Sequence, residues 1–494
     1  MKSTAKLWAL WFLLVFGLFN FYGPDPEAYR RPDDPPGLST TDLVARMTKP
    51  QLLLSLLRDE ADTRRYFAYA SAILGRPAPN YFIRSAQEWS EVETQAPPRR
   101  AGMTEAGRFY RPWRDFSVEY PPGMMAFILP PALLTEDFST FHFLFGLEME
   151  VLLTLAVFFG VKTADRLQVG GGERALAWSL ASTAALGIVA VRRYDACVAL
   201  ATSAALFGLA SRRPVLAGAA WAGGVIAKGA PIVLAPFALF WHGFRRDWSG
   251  LAKSLAAAAF CLGLSGALYL AIAGPNYADA FAYHARRPLQ FESFYGGVLI
   301  FLRYFDPSLA TTAYSFGSDN IVSTYEPLLR RIASLAPPIA MLGVFFWAFW
   351  RMKRAKTEAD RFAVLLVGAA ACFVAFASLG KVFSPQYLVW LIPLGALASL
   401  RAGERARLWM IVAFALAQIE YPFLYSSLSD ASDPQFGLLI VLRNFALWGW
   451  IFLLLRAPDH GEESHFLFAE KNSKSAGTNL GQCHSAERRR LGIP

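Results

Sequence analysis

Residues 59–77, DEADTRRYFAYASAILGRP, open the only long polar segment that precedes the C-terminal tail of this 494-residue chain. The segment runs from Asp59 to Pro122. It carries Asp59, Glu60 and Asp62 at its head and closes with Asp115 and Glu119-Tyr120-Pro121-Pro122. One hydrophobic run comes before it and all the others follow it. An isolated apolar helix, a long polar loop and then a series of apolar runs is the layout of a polytopic membrane protein.

Composition agrees with that layout. The chain is 54% hydrophobic, 15% aromatic and 17% charged, with a mean hydropathy of +0.31, values that exclude an ordinary large soluble protein. Its formal charge of +10 follows from topology, because Lys and Arg gather on cytoplasmic loops, and does not imply nucleic acid. Cys197, Cys261 and Cys372 lie in apolar runs, where a thiol is a small hydrophobe. With Cys483 in the tail they form neither a zinc-ligand spacing nor a disulfide framework.

Residues 7–23, LWALWFLLVFGLFNFYG, follow Lys2 and Lys6 without a small-residue cleavage motif, and read as an uncleaved anchor with a cytoplasmic N-terminus. The first outer loop, 24–138, begins Pro-rich. From Leu43 to Leu74 its apolar residues recur at helical spacing, which predicts one or two helices lying along the outer surface. Residues 84–112 are polar and Pro/Arg-rich, a surface insertion. Residues 121–135, PPGMMAFILPPALLT, fall short of the roughly 20 residues a span needs and read as a juxtamembrane or re-entrant helix.

Spans then follow at 139–161, 175–191, 196–211, 214–230, 231–243, 252–274, 332–350, 362–380, 384–400, 408–425 and 436–455. With the anchor they make about twelve transmembrane helices. The resulting inner loops hold Lys162, Arg166 and Arg174, then Arg212-Arg213, Arg245-Arg246, Arg351-Lys353-Arg354-Lys356 and Arg401-Arg405-Arg407, as the positive-inside rule prefers. A second outer loop covers 275–331. The expectation is an all-α polytopic integral membrane protein: one membrane-embedded domain, 1–457, and a disordered cytoplasmic tail, 458–494. No internal repeat is visible.

Charges that break the inside-basic pattern fall mostly at the outer ends of spans: Arg192, Arg193 and Asp195, then Lys228, then Arg286, Arg287 and Glu292, then Lys381 with Gln386 and Tyr387. Ionisable groups near membrane depth are expensive and usually serve a function. Here they would form one mainly cationic face opposite the acidic outer loop. Cations suit a phosphate, and Arg matches it with two parallel donors. A carboxylate beside them suits removal of a proton from a sugar hydroxyl. Plainer readings stand beside these. Arg192 and Arg193 also fit as snorkelling residues paired with Asp195, His284 as a surface histidine, and Asp115 or Glu119 as the working carboxylate.

Asp62-x-x-x-Tyr66, Ala70, Leu74-Gly75-x-Pro77 and Tyr81 resemble the start of the first outer loop in GT-C glycosyltransferases. The likeness is strongest to the bacterial polyprenol-phosphate-mannose-dependent mannosyltransferases. Tyr120-Pro121-Pro122, Arg193-Tyr194-Asp195, Ala217-Gly218 to Lys228 with Pro231, His284-x-Arg286-Arg287-x-x-Gln290-x-Glu292-Ser293 and Lys381-Val382-Phe383-Ser384-Pro385-Gln386-Tyr387-x-x-Trp390 resemble further blocks of that family, in order. The resemblance covers roughly residues 40–400.

It implies inverting transfer of a hexosyl group, mannosyl above all, from a polyprenyl-phosphate donor to a lipid or glycan acceptor of the cell envelope. The reaction would run on the extracytoplasmic side of the plasma (inner) membrane, with no cofactor. Asp62 takes the place of the general base. Tyr66, Arg193, Lys228, His284, Arg287, Gln290, Glu292, Lys381, Gln386 and Tyr387 are the substrate-binding candidates. Asp59, Glu60, Asp62 and His284 offer metal ligands, but the cations already neutralise a phosphate and no metal is assigned. The alternative is a transporter or flippase of lipid-linked sugars, which needs no outer-loop carboxylate and more often shows two similar halves. The geometric expectation is that Asp62 faces Arg193, Lys228, Arg287 and Lys381 across a gap the size of one monosaccharide.

Overall fold

The computed structural model describes residues 2–20, 51, 58–90, 102–167, 171–276, 278–425 and 433–457. The Pro-rich start of the outer loop, the surface helix expected before residue 58, the middle of the 84–112 insertion and the 458–494 tail lie outside the described residues.

The apolar runs become helices. In chain order the α-helices are α1 (Lys2–Phe12, continuing in other helical turns to Asn20), α2 (Ala61–Ile73), α3 (Ala86–Ser90), α4 (Met125–Leu134), α5 (Phe138–Leu167), α6 (Gly171–Leu186), α7 (Ala196–Ala210), α8 (Pro214–Lys228), α9 (Ala235–Phe244) and α10 (Trp248–Ala273). The second outer loop adds α11 (Asp279–Arg286), α12 (Phe294–Leu302), β1 (Thr311–Ser315) and β2 (Ser318–Val322). Then come α13 (Glu326–Arg354), α14 (Glu358–Ser378), α15 (Leu391–Ala398), α16 (Glu404–Gln418) and α17 (Pro434–Arg456). The fold is all-α in class, with one short hairpin among the described residues that the sequence had not led us to expect.

Capping residues set several span starts. Asp137 accepts from Thr140 N at 2.7 Å ahead of α5, and Asp247 from Gly250 N at 3.0 Å ahead of α10. Thr357 accepts from Asp360 N at 3.1 Å ahead of α14, and Asp433 from Gln435 N at 2.8 Å ahead of α17. Each gives an orphan N–H at a helix start a partner.

Seven helices among the described residues are long and apolar enough to cross a membrane: Ser3–Asn20, Phe138–Leu167, Trp248–Asn276, Glu326–Arg354, Glu358–Ser378, Glu404–Leu424 and Pro434–Arg456. They match seven of the expected spans. At the other five the structure has shorter helices, at Gly171–Leu186, Ala196–Ala210, Pro214–Lys228, Ala230–Phe244 and Pro385–Ala398. At 1.5 Å per residue, the 15 residues of α7 reach only about 22 Å, short of a bilayer core near 30 Å. Breaks such as Gly229, at a φ of 74° ahead of Pro231, end these helices early. Irregular backbone at membrane depth survives only where protein surrounds it, and these breaks bring polar residues to one end of the bundle.

Packing divides the helices by their neighbours. α14 and α15 are almost wholly buried, while α10 and α13 expose Phe260 (72%), Leu342 (66%) and Phe346 (67%), an apolar surface suited to lipid. Helix α8 packs on both α7 and α10, and α17 on α16 and α12. The expected inner loops gather at one end: Arg212 and Arg245 both meet Glu358, at 3.3 and 3.0 Å, and Arg401 meets Asp360 at 2.6 Å. Arg193 and Lys228 lie at the opposite ends of α7 and α8 from Arg212 and Arg213.

Arg192 does not snorkel. It is fully buried, donates to Phe19 O at 2.8 Å and Asn20 Oδ1 at 3.2 Å, and lies 3.8 Å from Glu150. A Cβ on Gly146 would overlap its guanidinium. Arg192 therefore ties the first helix to α5.

The α8–α10 contact is equally close. A Cβ on Gly218 would overlap the Ser254 carbonyl, whereas one on Gly223 in the same helix would meet open space. Gly218→Ala should cost about 1–3 kcal/mol by overpacking and lower the melting temperature in detergent. Gly223→Ala should leave it unchanged or slightly raised, because alanine favours the helix by about 1 kcal/mol.

Candidate active site

Asp62 stands in the first turn of α2 and makes an ion pair with Arg193, which follows the α6 break. Arg193 is only 4% exposed, so its charge must be met where it lies. It donates through Nη2 to Asp59 Oδ1 at 2.7 Å and to the Tyr421 hydroxyl at 2.9 Å, and through Nε reaches Asp62 Oδ2 at 2.9 Å. Tyr421 OH in turn donates to Asp59 Oδ1 at 2.6 Å. Asp59 takes a left-handed φ of 47°, a conformation Asp tolerates better than most residues.

The two carboxylates are not equivalent. The Asp59 side chain is fully enclosed, while 20% of the Asp62 side chain stays open. Burial works against the Asp62 carboxylate, but Arg193, with Arg65 and Lys228 behind it, outweighs that and holds it below the usual carboxylate range. Asp62 is thus an ionised group facing an opening. The expected gap between Asp62 and Arg193 is absent. A buried guanidinium without a carboxylate is too costly, and the acidic loop closes onto it.

Lys228 is similarly committed. Nζ lies 2.6 Å from Asp195 Oδ2, and Trp390 Nε1 donates to Asp195 Oδ1 at 2.6 Å. Aromatic rings surround the ammonium, with the Tyr194 centroid at 4.5 Å, Tyr120 at 5.6 Å and Tyr387 at 5.7 Å. Tyr387 stacks on Trp390 with centroids 4.7 Å apart, and Tyr66 packs edge-on against Tyr120 and Tyr194. The partner of Asp195 is therefore Lys228 and not a neighbouring arginine. The face expected to be mainly cationic is largely neutralised here, because every cation this deep has drawn a carboxylate.

Glu119 is also in use. Arg65 Nη1 reaches it at 2.5 Å and Tyr69 OH at 2.8 Å. Asp115 caps a local turn through Arg111 N at 2.7 Å. Glu60 pairs with Arg58 and Arg64. Of the two carboxylates that hold Arg193, Asp62 is the one with an open face.

The cations with spare capacity lie in the second outer loop and after α14. Arg287 Nη2 donates to Ser318 Oγ at 2.9 Å, and its buried Nε has no hydrogen-bond partner. Lys381 Nζ donates to Ala285 O at 3.0 Å. Burial, helped by Arg330 and Arg287, pulls Lys381 down to about 8. Neither pairs with a carboxylate among the described residues. Gln290 N donates to Lys381 O at 2.9 Å, joining the two segments, and the Gln290 amide bonds the Glu292 carboxylate. Gln386 is buried. His284 Nε2 donates to Glu119 O at 2.6 Å, which leaves Nδ1 as an acceptor.

The structure thus brings Asp62, Tyr66, Arg193, Lys228 and Tyr387 into one cluster, and His284, Arg287, Gln290, Glu292 and Lys381 into an adjoining one. Reasoning from sequence missed Tyr421, the pairing of Asp59, and a buried ion pair between Glu420 and Arg443. The last had a visible signal: a carboxylate and a guanidinium within apolar runs expected to span.

A family model described as Glycosyltransferase family 87 matches residues 118–385. Among solved structures the chain aligns with the crystal structure of ArnT from Cupriavidus metallidurans bound to undecaprenyl phosphate, at a TM-score of 0.37 and 14% identity. The alignment covers 68% of this chain and 66% of that one, just under two thirds of its length. No curated protein matches the sequence.

The two kinds of cation should separate in stability measurements. Lys228→Met strands the buried Asp195 carboxylate and should cost about 3–5 kcal/mol, read as a large fall in melting temperature. Arg287→Met loses a single hydrogen bond and should cost about 1 kcal/mol.

Proposed function

The chain belongs to glycosyltransferase family 87, and from that premise we propose that it moves a hexosyl group, mannosyl by the resemblance of its outer-loop motifs, from a polyprenyl-phosphate donor to an acceptor hydroxyl. The acceptor is a lipid or glycan on the extracytoplasmic side of the plasma membrane. The observation that carries this reading is the partly open Asp62 carboxylate, kept ionised by Arg193 at the mouth of a membrane bundle.

In the reaction the acceptor oxygen forms a bond to the anomeric carbon, and the bond from that carbon to the phosphate oxygen breaks. The electron pair leaves with the phosphate, and the hydroxyl proton passes to Asp62. Attack opposite the leaving group inverts the anomeric centre. Charge develops on the departing phosphate, and fixed donors aimed there lower the barrier. Arg287, with its unused Nε–H, and Lys381 suit that role better than Lys228, whose charge Asp195 already meets.

The test is purified protein in lipid vesicles, given radiolabelled polyprenyl-phosphate mannose and a membrane lipid extract. Asp62→Asn leaves Asp59 and Tyr421 on Arg193 and should insert with a lowered melting temperature, bind donor, and lose about 10²–10⁴-fold in transfer; undiminished transfer would remove Asp62 from the mechanism. The pH dependence has a defined sign. Lys381 is charged below about 8 and loses its proton as pH rises through that value. The donor KM should therefore climb above about pH 8, and Lys381→Arg should move that rise to higher pH.

A further inference from the structure

Arg443 and Glu420 form an ion pair with both side chains at 0% exposure, between α17 and the turn that continues α16. Replacing such a pair with apolar groups of similar volume is often neutral or stabilising, so stability alone does not account for one at membrane depth. Its neighbours supply a reason. Arg443 Nη1 bonds Glu420, while Nη2 donates to the Glu292 carbonyl at 2.8 Å. The guanidinium also lies flat enough on Phe383 for its carbon to sit 3.5 Å from the ring centroid.

These three contacts reach three separate parts of the candidate site. Glu292 follows Arg287 by five residues and shares its block with Gln290. Phe383 is two residues past Lys381. Glu420 precedes Tyr421, where the helix loses helical geometry and the tyrosine hydroxyl turns to Asp59 and Arg193. One side chain, outside the 118–385 family match, thus joins both phosphate-side segments and the segment that braces the carboxylate.

We propose that Arg443 is a positioning residue that sets the spacing between the Arg287 and Lys381 segments, and between them and Asp62, and thereby fixes donor affinity. This rests on the reading of those segments as the donor-phosphate site. It does not make Arg443 a ligand, since the residue is enclosed and its donors point at protein.

The experiment compares donor binding and kinetics in three variants, with Arg287→Met and Lys381→Met run alongside. In the Glu420→Met/Arg443→Met double variant the charge pair is removed without stranding either partner. The melting temperature should stay near the native value while donor KM rises about 10- to 100-fold through misplacement of the site, with the acceptor KM unchanged. Arg443→Lys keeps the charge opposite Glu420 and should recover part of the donor affinity. Phe383→Leu leaves the ion pair intact and removes the stacking surface; its donor KM should rise as well. If the double variant does not insert, Arg443→Lys and Phe383→Leu decide the matter. Folded variants with native donor KM would overturn the positioning role while leaving Asp62 untouched. Native donor KM in Arg287→Met and Lys381→Met would instead overturn the reading of those segments as the donor-phosphate site, on which the proposal rests.

Discussion

Arg193 lies at the end of a short helix, almost out of reach of water, and a guanidinium in that position has to be surrounded by acceptors. It draws Asp59 and Asp62 from the outer loop and the Tyr421 hydroxyl from the far end of the chain. That demand folds the polar segment back over the mouth of the bundle and leaves Asp62 ionised with one side open. Without the compensation, the outer loop would have little reason to hold a carboxylate at this place. The same electrostatic rule that neutralises Arg193 therefore also presents the reactive group.

The rule sorts the remaining charges. Lys228 and Asp195 satisfy each other within a ring of aromatic side chains, and Arg65 satisfies Glu119. These pairs are structural and leave the deep cluster close to neutral. Arg287 and Lys381 lie nearer the surface, where a cation survives without a carboxylate, and they keep capacity for an anion. A leaving phosphate needs such groups, and a growing negative charge would gain little from cations already spent. The bundle thus separates charges that hold the fold from charges free to act on a substrate.

Much of the architecture was legible because apolar runs and basic loops follow simple physics. The seven long spans lie within a few residues of their expected limits, and the inner-loop arginines do gather at one end. Asp62 and Arg193 were both singled out and are in contact. What could not be read were the pairings. Asp59 was read only as part of the acidic head of the loop and as a possible metal ligand, and its partner Tyr421 is 362 residues away. Glu420 and Arg443 were each visible as charges within apolar runs, but nothing local paired one with the other. The β1–β2 hairpin turns at Phe316 and Gly317, at φ of 51° and 68°, and its strands TTAYS and SDNIV lack the apolar–polar alternation that would have marked them. The expected gap at Arg193 was wrong for a physical reason: a sequence does not show which cations are buried enough to require contact.

The most direct test is a structure of this protein with a non-hydrolysable polyprenyl-phosphate sugar bound. The account predicts the phosphate against Arg287 and Lys381, and the anomeric carbon turned so that an acceptor hydroxyl would fall within about 3 Å of Asp62. A sugar seated away from Asp62, or a phosphate held at the Arg212–Glu358 end of the bundle, would contradict it.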